Sequence, residues 1–234
     1  MECDGSQWVV NTAEKAPAFF LSSRGYDVWL GNSRGNKYSL AHETLNPFED
    51  SDKPSYYEFD FEEMGTKDVP AAIKFIKEKT GQSKVTYVGH SQGTAQLFAA
   101  LSLMPKYYNE NLNLYLAVCP VARVTHIGNP IAQYLSQHIG LAKYVLVDLM
   151  GMYNFFQPDA VQADVDKICR FIPHICEGLE ILIKAFSGHK SKDVYDMEMS
   201  GAGWRTFVHF GQMMKAEEFQ RYDWGYFINL LRYG

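Results

Sequence analysis

Lys84-Val85-Thr86-Tyr87-Val88-Gly89-His90-Ser91-Gln92-Gly93-Thr94 is the stretch whose reading decides the fold. Lys84–Gly89 is a compact β-branched run and reads as a strand. Gln92–Met104 is made of small and apolar residues and reads as a helix stopped by Pro105. Between them, Gly89-His90-Ser91-Gln92-Gly93 matches Gly-x-Ser-x-Gly at a strand-to-helix turn. Such a turn strains the serine backbone and presents its hydroxyl at the carboxyl end of a sheet. Glycines at 89 and 93 are expected to leave room for strand and helix to approach each other. Ser91 is therefore the candidate nucleophile. The backbone amide of Gln92, at a helix N-terminus, is the candidate oxyanion donor. His90 is rejected as a base, because adjacent residues at such an elbow point apart; a buried structural role is expected for it.

Working outward, Leu112–Cys119 reads as the next strand, closed by Pro120. Upstream, a helix is expected from Asp68, which would cap the free amides, with Pro70 in the first turn. Ala72, Ile73, Phe75 and Ile76 would share its buried face, with Lys74, Lys77, Glu78 and Lys79 opposite, and Thr80-Gly81 would end it. Residues 26–31 read as a buried strand, residues 17–24 as a short helix ending at Gly25, and residues 31–63 as a long surface excursion. Helix, strand, helix, strand in this order predicts an α/β fold with a parallel sheet and crossover helices. Beyond Pro130 no strand is read. Helical stretches near 131–150, 159–186 and 204–220 look like an insertion. The expected division is a partial core over 1–125 and a helical region over 126–234.

The chain has 234 residues, 47% of them apolar, which suffices for one large core. Its net charge of −5 and the lack of a basic stripe argue against a nucleic-acid partner. Residues 139–156, the best membrane-span candidate, are interrupted by Lys143 and Asp148, so no transmembrane segment is expected. Met1-Glu2-Cys3-Asp4 does not read as a signal peptide. Cys169 and Cys176 are close enough to form a small disulfide loop or to be two buried thiols, and spacing does not choose between these. No Cys-x-x-Cys and no zinc-type His/Cys cluster occurs.

Further segments carry a family resemblance. Tyr26-Asp27-Val28-Trp29-Leu30-Gly31-Asn32-Ser33-Arg34-Gly35-Asn36 resembles a signature of the acid lipases, the gastric and lysosomal type. Glu63-Met64, Asp68-Val69-Pro70-Ala71, Thr80-Gly81-Gln82 and Tyr87 through Thr94 look like the same family, as does Cys119-Pro120-Val121-Ala122. Asp193-Val194-Tyr195, Gly201-Ala202-Gly203, His209 and Phe219 through Gly225 resemble its cap region.

The resemblance implies an α/β-hydrolase with a helical cap, acting on triacylglycerols or cholesteryl esters at a lipid–water interface. It implies a serine acyl-enzyme mechanism that needs no metal or cofactor. It carries the nucleophile onto Ser91 and one oxyanion donor onto the Gln92 amide. It places the other donor in a His-Gly strand before Met1, and the triad Asp and His after Gly234. Neither partner is found in this chain, so activity of the chain alone is doubtful and a truncated lipase is expected. The alternative is a non-catalytic, lipid-binding remnant of the same fold.

Five histidines follow Ser91: His126, His138, His174, His189 and His209. None has the surroundings of the family's base, and His209 matches a cap histidine; Asp196 with His209 is a conceivable substitute pair. Phe155, Phe156, Leu179, Ile181, Leu182, Ile183 and Phe186 are candidates for lining an acyl cleft or for packing the cap helices together. The resemblance also implies a Cys169–Cys176 bridge, an oxidising compartment, and hence a lysosomal or secreted location. Without the family's first strand, the strands at 26–31 and 84–89 are expected not to pair.

Overall fold

The computed structural model describes residues 4–124, 126, 128, 130–155 and 200–234. The chain divides into two compact units. Residues 1–57 and 152–202 form one, and 58–151 and 203–234 the other.

The second unit holds the predicted α/β element. β1 (Val85–His90) and β2 (Leu112–Val118) pair in parallel, with Val88 opposite Leu116 and His90 opposite Val118. The crossover between them is helical: α5 (Gln92–Leu103) and then α6 (Pro105–Asn111). Pro105 ends one helix and opens the next, because its missing N–H costs nothing in a first turn. Val69, Ile73, Leu97, Ala100 and Tyr108 form the buried core beside this sheet. The opposite row of β2 is bare: Leu114, Leu116 and Val118 are 51%, 45% and 43% exposed.

The helix before β1 begins earlier than expected. Its N-cap is Asp60, whose Oδ1 accepts from the Glu62 amide at 2.8 Å while Glu63 Oε2 accepts from the Asp60 amide at 3.0 Å. This reciprocal capping opens α3 (Phe61–Glu63), which passes through a π turn (Met64–Asp68) into α4 (Val69–Thr80). Asp68 therefore lies inside a helical run and caps nothing. The π turn stands where an α-helical ladder would demand the N–H that Pro70 lacks. Gly81, at φ 71°, closes α4 as expected. The inward stripe is Val69 and Ile73, which are buried, and the half-buried Ile76, at i, i+4 and i+7. Ala72 and Phe75 fall off that stripe and are exposed, contrary to expectation.

The π turn is seated directly on α5. A Cβ at Gly65 would stand 2.1 Å from the Gln96 carbonyl oxygen. The Gly65 carbonyl accepts from the buried Tyr108 hydroxyl. Gln92 and Gln96 both aim their side-chain amides at the Met64 sulfur, at 3.1 and 3.2 Å.

The rest of the second unit is helical: α7 (Pro130–Gln137), α8 (Ile139–Lys143), a π segment (Tyr144–Leu149), α9 (Trp204–Ala216) and α10 (Tyr226–Tyr233). Two-residue strands, β3 (Asn154–Phe155) and β4 (Ala202–Gly203), pair where no strand was expected. They are too short to leave a periodic signal. The stretch 159–186, with the lining candidates from Phe156 to Phe186, lies outside the described residues. Phe155 is buried.

In the first unit, α1 (Pro17–Ser22) matches expectation and α2 (Lys53–Tyr56) follows the polar excursion. Asp4 is buried, caps the turn at Gly5–Trp8 and pairs with Lys37 at 3.0 Å. Asn32 Oδ1 accepts from the Gly5 amide at 2.9 Å and from Asn36 Nδ2 at 3.0 Å. Residues 26–31, expected as a buried strand, form none, and Tyr26, Trp29 and Leu30 are 64%, 42% and 42% exposed. No ladder pairs with them among the described residues.

The Gly65–Gln96 approach leaves no space for a methyl group. Gly65→Ala is expected to lower the unfolding free energy by about 1–3 kcal/mol, as overpacking does. The half-exposed Phe75→Ala should change it little. Urea melts of both variants check this.

Candidate active site

Ser91 sits between the last residue of β1 and the first of α5 with φ 51° and ψ −116°. A non-glycine residue in this region costs on the order of 1–3 kcal/mol and persists only where its surroundings over-determine it. Those surroundings are specific. The Ser91 amide donates to the Val118 carbonyl at 3.0 Å, which extends the β1–β2 ladder by one residue. The Ser91 carbonyl accepts from the Thr94 amide at 2.9 Å and from Thr94 Oγ1 at 2.6 Å. Thr94 Oγ1 in turn accepts from the Val121 amide at 2.8 Å. One fully buried threonine thus ties the elbow to the segment after β2.

Two tyrosines brace the first turn of α5. The Tyr87 hydroxyl donates to the Gly93 carbonyl at 3.0 Å, and the Tyr115 hydroxyl donates to the Thr94 carbonyl at 3.0 Å. Burial pushes the Tyr87 phenol well above its usual range, and pushes that of Tyr115 up to about 12, so both remain donors. The two glycines of the motif are not equivalent. A Cβ at Gly89 would lie 2.7 Å from the Gly93 carbonyl oxygen, a forbidden contact. A Cβ at Gly93 would meet only the Tyr87 hydroxyl at 3.5 Å, an ordinary one. The close-approach argument holds for Gly89 alone.

Gln92 opens α5, where first-turn amides have no partner within the helix. Its side chain is turned to Met64, away from a catalytic task. Cys119, the residue after β2, is also at positive φ (50°), and its thiol is free and exposed.

The described histidines from residue 90 onward are placed as follows. His90 ends β1 and is half-buried rather than buried, with its imidazole held below its usual range by desolvation. His126 and His138 are exposed. His209, on α9, is fully buried, with Nδ1 3.1 Å from Asp60 Oδ2 and Nε2 2.9 Å from the Gln220 carbonyl oxygen. Its ring stacks on Phe61 with centroids 4.2 Å apart. Asp60 also lies 3.3 Å from Arg205 Nε, and Arg205 reaches Glu63 and Glu58 as well. This cluster joins α3 to α9, and sequence reasoning missed it. The signal was present in Asp60-Phe61-Glu62-Glu63, which has capping-box spacing. Asp196, Cys169, Cys176, His174 and His189 lie outside the described residues. No group of three or more His, Cys, Asp or Glu among the described residues is arranged to hold a metal ion. No described helix is long and apolar enough to cross a membrane.

Comparison with known proteins fits this geometry. Residues 13–110 match the model of the alpha/beta hydrolase fold. The chain is 35% identical over 231 residues to the lysosomal acid lipase/cholesteryl ester hydrolase of Homo sapiens, covering 95% of this chain and 55% of that protein. It is 32% identical to lipase member M of Homo sapiens, over 94% of this chain and 52% of the relative. It is also 32% identical to the gastric triacylglycerol lipase of Rattus norvegicus, over 94% and 55%. The chain belongs to the acid lipase family. It spans about half the length of the curated relatives it matches. In this acid lipase chain, the strand–serine–helix element is braced from both sides.

The Asp60 cluster gives this acid lipase chain a defined pH response. Burial alone would raise the Asp60 carboxyl. The hydrogen bond and charge of His209, the Arg205 guanidinium and the Glu62 amide outweigh it and hold the carboxyl below the usual carboxylate range. A carboxyl lowered by folding contributes its full stability above its unfolded value, and loses it as pH falls through the folded value. Asp60→Asn is expected to cost about 1.5–3 kcal/mol near neutrality, since it removes one of the carboxylates facing the buried Arg205, which keeps Glu63 and Glu58. The gap from the parent should narrow below about pH 4. Thermal melts of both proteins across pH 3–8 check the sign.

Proposed function

We propose that Ser91 is the nucleophile of a serine ester hydrolase acting on lipid esters of the triacylglycerol or cholesteryl ester type. The observation that carries this reading is the backbone of Ser91, held at φ 51° and ψ −116° between β1 and α5. The names of the relatives, a cholesteryl ester hydrolase and a triacylglycerol lipase, supply the substrate class.

The chemistry is two-step acyl transfer. The Ser91 oxygen attacks the ester carbonyl as a base takes the hydroxyl proton. The tetrahedral oxyanion accepts from the Gln92 backbone N–H and a second donor. The C–O bond to the alcohol breaks, and the alcohol leaves with the proton. Water then attacks the acyl-enzyme, and the acid departs as Ser91 regains its proton. The helix dipole of α5 favours negative charge beside Gln92. His209 is not proposed as the base, since both its nitrogens face partners in the α3–α9 cluster. Residues 126–234 are proposed to act as the cap over residues 1–125. A lysosomal or secreted location and a Cys169–Cys176 bridge belong to the same reading.

A fluorophosphonate probe tests the proposal. Labelling is expected at Ser91, abolished in Ser91→Ala and reduced at least tenfold in Gly89→Ala, whose Cβ would force the elbow open. A Ser91 inert to the probe would instead support the non-catalytic, lipid-binding reading.

A further inference from the structure

The peptide that joins Ser91 to Gln92 is gripped at its carbonyl end. Its oxygen accepts from the Thr94 amide at 2.9 Å and from the Thr94 hydroxyl at 2.6 Å. In a trans peptide the C=O and the N–H point in opposite directions. A clamp on the Ser91 carbonyl therefore aims the Gln92 N–H. Thr94 is fully buried, and its backbone and side chain hold one oxygen at two points. This fixes the peptide plane at the Ser91 ψ of −116°.

Each of these two donors is itself the end of a hydrogen-bonded chain. In the first, the Val121 amide donates to Thr94 Oγ1 at 2.8 Å, and Thr94 Oγ1 donates onward to the Ser91 carbonyl. In the second, the Tyr87 hydroxyl donates to the Gly93 carbonyl at 3.0 Å. That carbonyl shares a peptide group with the Thr94 N–H, which donates to the Ser91 carbonyl. Both chains run in the same sense, donor to acceptor. Both end on the peptide whose N–H belongs to Gln92. A peptide whose oxygen accepts a hydrogen bond draws electron density from its nitrogen, so its N–H becomes a stronger donor. Bonds in series reinforce one another, by about 10–30% each.

We propose that Thr94 and Tyr87 are positioning residues for the reaction at Ser91, aiming and polarising the Gln92 N–H toward the developing oxyanion. The inference rests on the hydrolase reading of Ser91 and adds to it the source of the donor's strength. Each residue acts through the Ser91–Gln92 peptide, and neither gives up or takes a proton. The oxygen of the tetrahedral intermediate carries more negative charge than the carbonyl oxygen of the ester. A polarised N–H therefore favours the transition state over the bound ester. The loss from either variant belongs in the rate of attack by Ser91 rather than in binding.

Two measurements on the whole chain test the proposal: the rate of Ser91 labelling by a fluorophosphonate, and the NMR shifts of the Ser91 carbonyl carbon and the Gln92 amide nitrogen. Thr94→Val is expected to slow labelling about tenfold and to move both resonances upfield, as a peptide that loses a donor to its oxygen does. Thr94→Ser restores the hydroxyl and should return rate and resonances close to the parent's. Tyr87→Phe should move both resonances the same way and slow labelling about threefold, and it decides the question if Thr94→Val does not fold. Tyr108→Phe is the structural control. It removes a buried phenol that donates to the Gly65 carbonyl, and should leave labelling and both resonances unchanged. The proposal is overturned if the resonances stay in place in Thr94→Val and Tyr87→Phe, or if Tyr108→Phe moves them as far. It is equally overturned if Thr94→Ser fails to restore them, or if a reactive parent labels no faster than Thr94→Val and Tyr87→Phe. A Ser91 inert to the probe in the parent overturns the hydrolase reading instead, and the two resonances alone then decide whether the chains converge on this peptide.

Discussion

The second unit is organised around a backbone conformation that its own residue disfavours. Ser91 stays at positive φ because its amide is claimed by Val118 and its carbonyl by Thr94. Releasing either bond would let the turn relax toward ordinary helix or strand geometry. The surrounding sequence reads as support for that one residue. Gly89 lets the chain double back against Gly93, and the phenols of Tyr87 and Tyr115 donate to the Gly93 and Thr94 carbonyls in the first turn of α5. The strain is thereby spread over contacts that also build the core.

A second layer fixes where α5 lies. The π turn before Pro70 brings the backbone at Gly65 onto Gln96, and the Met64 sulfur receives two amides from α5. Behind it, the Asp60–His209–Arg205 cluster ties α3 to α9. The chain thus runs from a buried charge network, through a helical bulge, to the seat of α5. Elements distant in sequence are joined by buried polar groups.

What the sequence made legible followed from local pattern. β1, β2, α5 and the αL stop at Gly81 were readable because period, proline and glycine act within a few residues of where they stand. The serine elbow was readable because its motif sits between a strand pattern and a helix pattern. Among the readings that went astray, three have plain physical reasons. Asp68 looked like a cap because Pro70 follows it, but a π turn lets a helix run through that point from Asp60. Phe75 was placed on the buried face of α4, whereas the stripe turns with Val69, Ile73 and Ile76. The stretch at 26–31 has strand composition, yet composition does not provide a neighbour, and no ladder forms there. The Asp60–His209 pair joins residues far apart in the chain, and no local rule reaches across that gap.

The bare row on β2 bears on how the polypeptide behaves in a tube. Leu114, Leu116 and Val118 form an oily strip on a strand whose outer edge pairs with nothing among the described residues. Such an edge recruits further strands from other molecules, and a net charge of −5 gives only modest repulsion against it. Concentration and ionic strength will therefore govern how long the protein stays in solution, and purification should begin dilute, in low salt, away from the isoelectric point near pH 5.8.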